Sequence, residues 1–337
     1  NFKDDDSDGV NDYESNPFFG LVSLYDVNEY AYNAPVVVSR KLFDVLLDAK
    51  KLYEDTDGFF NAAIGNAVDI IKKRITTHMF GSIDDAEFDL MLGELSAIKN
   101  TVNYEDVVLD EDNLTVSFKS EGIKLDLGAL AKGYATQKAV DYLAFKGIKK
   151  YNIDAGSSNI ALGTHPDDRN WNIGLRNPEN PFLGIYGILS NVNKAIVTSG
   201  NFEQYFKHDG IRYHHIISPF DFMPKQIYHA VTLIGDDSGY LDGLSTALFS
   251  MPYEDAKALV EELNLEAVFY MYDGSVETIL KDTTFKLMLD DKPTAEPNDV
   301  MIVAYILGGV IIIGGVVIVL LSIRDKKKQG DLNEDQK

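Results

Sequence analysis

The sequence predicts an α+β domain with mixed or antiparallel sheets and packed helices, followed by one C-terminal transmembrane helix. Three observations predict it. Apolar residues recur at helical spacing through the first hundred residues. The period then shortens to that of strands, interrupted by helices but without regular βαβ alternation. Last, residues 300–323 form an uncharged run of 24 residues, VMIVAYILGGVIIIGGVVIVLLSI.

Residues 1–34 are polar and aromatic and read as an irregular N-terminal segment. The acidic start NFKDDDSDGVNDYE has no signal-peptide pattern, so the reading is of a chain cut downstream of its natural start. Leu42, Val45, Leu46, Ala49 and Leu52 mark a helix within 36–55, with Ser39 as its N-cap. Further helices are expected over 62–75 and 84–99. Val107–Asp110 and 114–118 flank Glu111-Asp112-Asn113 as a hairpin, and 123–126 reads as a short strand. A helix over 128–146, with Leu130, Ala131, Tyr134, Ala135, Ala139 and Leu143 on one side, stops at Gly147. Strands are expected at 151–155, 159–162, 172–175, 184–191, 195–199, 213–217 and 229–234. Helices over 239–250 and 253–263 and a strand pair at 266–272 and 276–280 complete a domain spanning 35–285. Residues 286–299, with Pro293 and Pro297, form a linker.

At 1.5 Å per residue, 300–323 extends to about 36 Å as a helix, enough for a hydrocarbon core of about 30 Å. Arg324, Lys326, Lys327 and Lys328 follow it, whereas Asp290, Asp291, Glu296 and Asp299 precede it. The positive-inside rule puts the basic tail, 324–337, in the cytoplasm and the domain outside a cell membrane. The chain has no cysteine, which removes disulfides, thiolate catalysis and thiolate metal sites. Its formal net charge of −22 argues against nucleic acid, because no basic face is left to neutralise phosphates.

Five segments place polar residues where a core would not want them. Thr56-Asp57-Gly58-Phe59-Phe60-Asn61 follows a helix. In KLDLGALAKGY, from Lys124, a strand ends at Asp126 and a helix begins at a small-residue turn, with Lys132 in its first turn. Such a helix start suits a phosphate, although Asp126 is also a plausible cap. NIDAGSSN, from Asn152, is small enough for close backbone approach and equally good as a tight turn. AIVTSGN, from Ala195, is followed by RYHHIISP, where His215 is either a structural histidine or a general base near an anion site. In LDGLSTA, Asp242 and Thr246 lie one helical turn apart. They read either as an oxygen pair for a hard cation or as a cap followed by a threonine bonded into its own helix.

In this order, VVVSRKLFDVLLDAKKLYEDTDGFFN, KLDLGALAKGYATQKAV, NIDAGSSNIALG, AIVTSGNFEQYF, RYHHIISP and DGLSTALF resemble the FAD:protein FMN transferases, the ApbE-type flavin transferases. The resemblance covers roughly 20–282 and implies a two-lobed flavin transferase domain. It implies Mg2+-dependent transfer of FMN from FAD to a Ser or Thr hydroxyl of an extracytoplasmic acceptor protein, with AMP released. Asp242, Thr246 and the Ala129 carbonyl match the family's metal ligands. Asp126, Lys132, Phe59, Phe60, Asn61 and Ile217 match its cofactor contacts, and His215 matches its base. The chain departs from the family pattern at Ser218, where Asp is usual, and at Phe220-Asp221-Phe222-Met223-Pro224, where T-G precedes the proline. Asn61 stands where Asp is common, and Ser157 replaces a frequent glycine. Two further readings share the site: an FAD pyrophosphatase giving FMN and AMP, and a membrane-anchored flavin-binding protein without turnover.

Overall fold

Ser23 caps the first helix, α1 (Leu24–Tyr30), through a reciprocal box in which its side chain accepts from the Asp26 N–H and Asp26 accepts from the Ser23 N–H. Part of the segment expected to be irregular is therefore helical. The computed structural model describes residues 22–156, 158–179 and 184–288. The apolar run 300–323 and the tail 324–337 lie outside them, as does Ser157. Among the described residues no helix is long and apolar enough to cross a membrane.

The predicted N-terminal helices are present. Helix α2 (Arg40–Asp55) starts where Ser39 accepts from the Leu42 N–H, and it buries Phe43, Leu46, Ala49 and Leu52. Helices α3 (Gly65–Thr77) and α4 (Asp85–Ala97) follow, the second capped by Asp84. Strand β1 (Val36–Val37) and the hairpin β2 (Val107–Asp110) and β3 (Thr115–Phe118) form a small sheet in the order β1-β3-β2. The strand expected at 123–126 does not form. Its backbone is held instead by the Asn28 side chain, which bonds both groups of Leu125, and by the Ala62 carbonyl, which accepts from Asp126. Only a single parallel bridge joins Lys124 to Ile64.

Helix α5 (Ala131–Phe145) begins three residues later than expected. Gly147, at φ +71°, ends it in a Schellman arrangement, with Ile148 N–H donating to Leu143 and Gly147 N–H to Ala144. The predicted apolar face is corrected: Ala131 and Ala135 are exposed, whereas Gly133 and Thr136 are buried. The cause is α6 (Ser238–Ser250), whose backbone lies against Gly133.

The central sheet has six strands in the order β13 (Val276–Ile279), β12 (Glu266–Met271), β11 (Tyr228–Gly235), β8 (Ala195–Gly200), β5 (Asn159–Leu162) and β4 (Asn152–Asp154), every pair antiparallel. Strand β11 is apolar nearly throughout because both faces are covered. Val231 and Leu233 join Leu241, Leu244 and Leu248 of α6 in one cluster. Ala230 and Ile234 join Leu175, Tyr186 and Leu189 in another. The latter cover comes from β6 (Trp171–Arg176) and β7 (Ile185–Val192), paired with β14 (Thr284–Leu287), a strand that crosses the expected domain end at 285. Helix α7 (Tyr253–Glu262) precedes β12.

A third cluster joins Ile71, Ile75, Met91, Leu95 and Phe206. Phe206 belongs to a hairpin of β9 (Tyr205–His208) and β10 (Ile211–His214), where a strand was expected to run on to Ile217. Beyond His214 the chain turns, with Ser218 bonded to Met223 through its N–H and to Phe222 through its carbonyl.

Gly133 supplies a sharp test of the α5–α6 contact. A methyl group there would lie 2.2 Å from the Ser238 carbonyl oxygen and 2.5 Å from Asp242 Cβ. Alanine favours helix over glycine by about 1 kcal/mol, but overpacking costs about 1–3 kcal/mol, so the clash wins. Gly133→Ala is expected to lower Tm by a few degrees in a melting experiment; a raised Tm would show that the helices are not in this contact.

Candidate functional site

A cleft of about 330 Å³ opens where the three apolar clusters meet. All ten residues singled out from sequence line it: Phe59, Phe60, Asn61, Asp126, Ala129, Lys132, His215, Ile217, Asp242 and Thr246. They come from four parts of the chain, 59–61, 126–132, 215–217 and 242–246, so the fold is what brings them together.

Asp242 is 7% exposed and sits on the second turn of α6. Its Oδ2 accepts from the Gly133 N–H at 2.8 Å and its Oδ1 from the Asn159 side-chain amide at 2.9 Å. Burial pushes its carboxyl above the ordinary range, opposed by those two bonds and by the charge of Lys132. The carboxylate is thus under-compensated and suits a cation. The bond from Gly133 has a second effect. That N–H lies in the first turn of α5, where donors have no acceptor within the helix, and Asp242 supplies one; Ala129 itself precedes the start of the helix. Thr246 bonds back to the Asp242 carbonyl at 3.3 Å and lies 3.5 Å from the Ser199 hydroxyl. The back-bonding threonine is therefore present, but Asp242 is not a cap, since Asp237 caps α6; the Thr246 oxygen keeps a lone pair in this arrangement. Asp242, Thr246 and Ala129 offer only oxygen, one of them charged, a donor set that fits magnesium.

Asp126 does not cap α5. Its Oδ1 accepts from the Gly128 N–H at 2.6 Å, making a tight turn, and its Oδ2 accepts from Lys72 at 3.3 Å. Lys132 hydrogen-bonds the Ser158 hydroxyl across the cleft. Thr56 shapes the Phe59 segment: its hydroxyl donates to the Leu52 carbonyl and accepts from the Phe60 N–H, while Asp57 and Gly58 take positive φ. Asn61 accepts from the Ala63 N–H.

The two adjacent histidines separate cleanly. His214 is fully buried against Phe249, and burial pushes its pKa down to about 3, so it is a neutral core residue. His215 lines the cleft. Burial lowers its pKa, and the charges of Lys72 and Lys132 lower it further. It is neutral at pH 7, and its buried Nδ1 has no hydrogen-bond partner among the described residues. The departure at Ser218 is absorbed locally. This residue is buried outside the cleft lining, and its hydroxyl accepts from the Phe220 N–H at 3.3 Å.

Sequence reasoning missed Lys72, Arg176 and Glu203, which also line the cleft. Lys72 had a signal: Ile64, Val68 and Lys72 stand four apart on one face of α3, and all three face the cleft. Arg176 and Glu203 pair at 3.2 Å and had none, being single charges at the end of β6 and in the loop between β8 and β9. A separate group, Asp85, His208 and Asp209, brings three ligand atoms within 4.8 Å of one another. It lies outside the cleft lining, with the His208 ring stacked on Phe88.

The ApbE family profile matches residues 21–269. An FAD:protein FMN transferase of Klebsiella pneumoniae is 33% identical over 248 residues, 73% of this chain and 74% of its own length. One of Treponema pallidum is 31% identical over 265 residues, covering 75% and 72%. The ApbE protein of Thermotoga maritima superposes with a TM-score of 0.65 at 26% identity, over 76% of this chain and 80% of that one. The flavin transferase ApbE of Vibrio cholerae gives 0.62 at 25%, over 76% and 79%. With the profile spanning most of the chain, and with its motif residues gathered into one cleft, the protein belongs to the ApbE family.

Proposed function

We propose that the cleft transfers FMN from FAD to a serine or threonine hydroxyl of an acceptor protein and releases AMP, with Mg2+ as the metal. The chain is an enzyme of the FAD:protein FMN transferase type, as its family and its relatives show. The observation that carries the finer reading is the convergence of Asp242, Thr246 and Ala129 with Lys132, Asp126 and His215 in one cleft.

In the proposed step the acceptor oxygen attacks the flavin-side phosphorus, the bond from that phosphorus to the AMP oxygen breaks, and the hydroxyl proton passes to His215. A neutral, buried histidine can take that proton. Lys132 and Lys72 line the same cleft and offset charge on the pyrophosphate. Asp242, Thr246 and the Ala129 carbonyl would hold a divalent cation, which would supply positive charge against the negative charge building up on the leaving side. The catalytic domain is placed outside the cell membrane, with 300–323 spanning it and 324–337 in the cytoplasm; the uncharged run and its basic flank support this.

The direct test incubates the full chain with FAD, Mg2+ and the membrane and exported proteins of its own source. An acceptor carrying FMN in a phosphoester, found by flavin fluorescence on a denaturing gel and by mass, together with AMP, is the expected result. AMP and free FMN without a labelled protein would make it a pyrophosphatase. FAD binding without AMP release would make it a binding protein.

Two variants probe the roles. Asp242→Ala is expected to abolish Mg2+-dependent AMP release, by at least about 100-fold in kcat; full activity would remove Asp242 from the metal site. The His215 base must be neutral, and its pKa lies below the ordinary 6.5. The acid limb of the kcat/KM profile, which reports the free enzyme, therefore falls below pH 6.5, with a plateau above it. His215→Gln is expected to remove that limb and lower the plateau by about 100- to 10,000-fold. An unchanged limb in the variant would assign it to another group.

A further inference from the structure

The departure from the family pattern at 218–224 places an aromatic ring at the mouth of the cleft. Phe220 is 56% exposed, so its ring stands in solvent beside the cleft. Its ring stands edge-on to Phe59, centroids 4.8 Å apart and planes at 76°. Phe59 lines the cleft, and so does Pro219 immediately before Phe220. The loop that carries Phe220 is firmly held. Ser218 bonds Phe220, Phe222 and Met223, Asp221 accepts from the Met223 N–H and pairs with Lys225, and Phe222 is buried in the cluster with Ile217. An exposed ring on a loop this constrained is a preformed surface rather than a mobile side chain.

We infer that Phe220 is a positioning residue that fixes the Phe59 ring and, with Pro219, forms an apolar lip over the flavin-ring end of the cleft, so that the site discriminates flavin from other adenosine diphosphates. The inference rests on the proposed FAD reaction and adds to it the residue that sets the ring subsite. Edge-to-face pairs contribute about 0.5–1.5 kcal/mol beyond area. Removing the edge is therefore expected to weaken flavin binding about 2- to 12-fold, without touching the groups that face the pyrophosphate.

The experiment uses the full chain in detergent with Mg2+ and compares two probes, FMN (ring and one phosphate) and ADP (pyrophosphate without the ring). Binding of each is measured for wild type, Phe220→Ala and Phe220→Tyr, alongside Tm. Phe220→Ala is expected to raise the FMN Kd about 2- to 12-fold, to leave the ADP Kd within about twofold and to lower Tm by no more than a few degrees. Phe220→Tyr, which keeps the ring edge, is expected to match wild type. If Phe220→Ala does not fold, Phe220→Leu carries the same comparison. An FMN Kd equal to wild type, an equal loss of FMN and ADP, or a loss of ADP alone would overturn the role of Phe220. A wild-type protein that binds neither probe would instead overturn the proposed function.

Discussion

One buried carboxylate organises this domain. Asp242 receives a backbone donor from α5 and a side-chain donor from β5, so a single side chain of α6 ties three elements together. Asn159 is itself held, its oxygen accepting from the Ser238 hydroxyl at 3.1 Å. An uncompensated charge in such a place would be strongly destabilising. Two hydrogen bonds and the neighbouring Lys132 reduce that cost without cancelling it, since the group's pKa still rises. The residual demand for positive charge is what supports the proposal of a cation at this junction. The same bond gives α5 a cap for one of its first-turn donors.

The cleft around this junction balances charges of both signs. Lys72, Lys132 and Arg176 line it together with Asp126, Asp154, Glu203 and Asp242. On a chain of net charge −22, three cations set against four carboxylates leave the cleft closer to neutral than the whole chain. They suit an anionic substrate that a strongly acidic surface would otherwise repel. The apolar remainder of the lining comes from all three clusters, which gives aromatic rings a dry place on either side of the polar groups.

Much of this was legible from residues alone, for identifiable reasons. Helix α2 and hairpin β2–β3 announce themselves through local devices, an N-cap serine and a polar turn, that tertiary context does not override. Strand β5 matches its expected span because the small residues before it and Gly163 after it bound the run. The misses have physical causes as well. The backbone at 123–126 looked like a strand, but its hydrogen bonds go to Asn28, nearly a hundred residues earlier. The buried face of α5 is set by a glycine and a threonine because α6 approaches too closely for anything larger, and a search for apolar stripes cannot see that. The β9–β10 turn did carry a signal, Asp209-Gly210, both at positive φ, which is the signature of a tight hairpin. At the site, motif residues were readable because their types are dictated by chemistry. Arg176 and Glu203 were not, since only the fold brings those two charges to the cleft.

The proposed reaction requires Asp242, Thr246 and the Ala129 carbonyl to act as one oxygen site beside a bound pyrophosphate. A crystal structure of the protein with FAD and Mg2+ decides this. The expected result is a cation held by all three oxygens, with the pyrophosphate beside α5 and α6 and the flavin ring against Phe59. A cation bound only at Asp85, His208 and Asp209, or a pyrophosphate with no contact to α5 and α6, would contradict it.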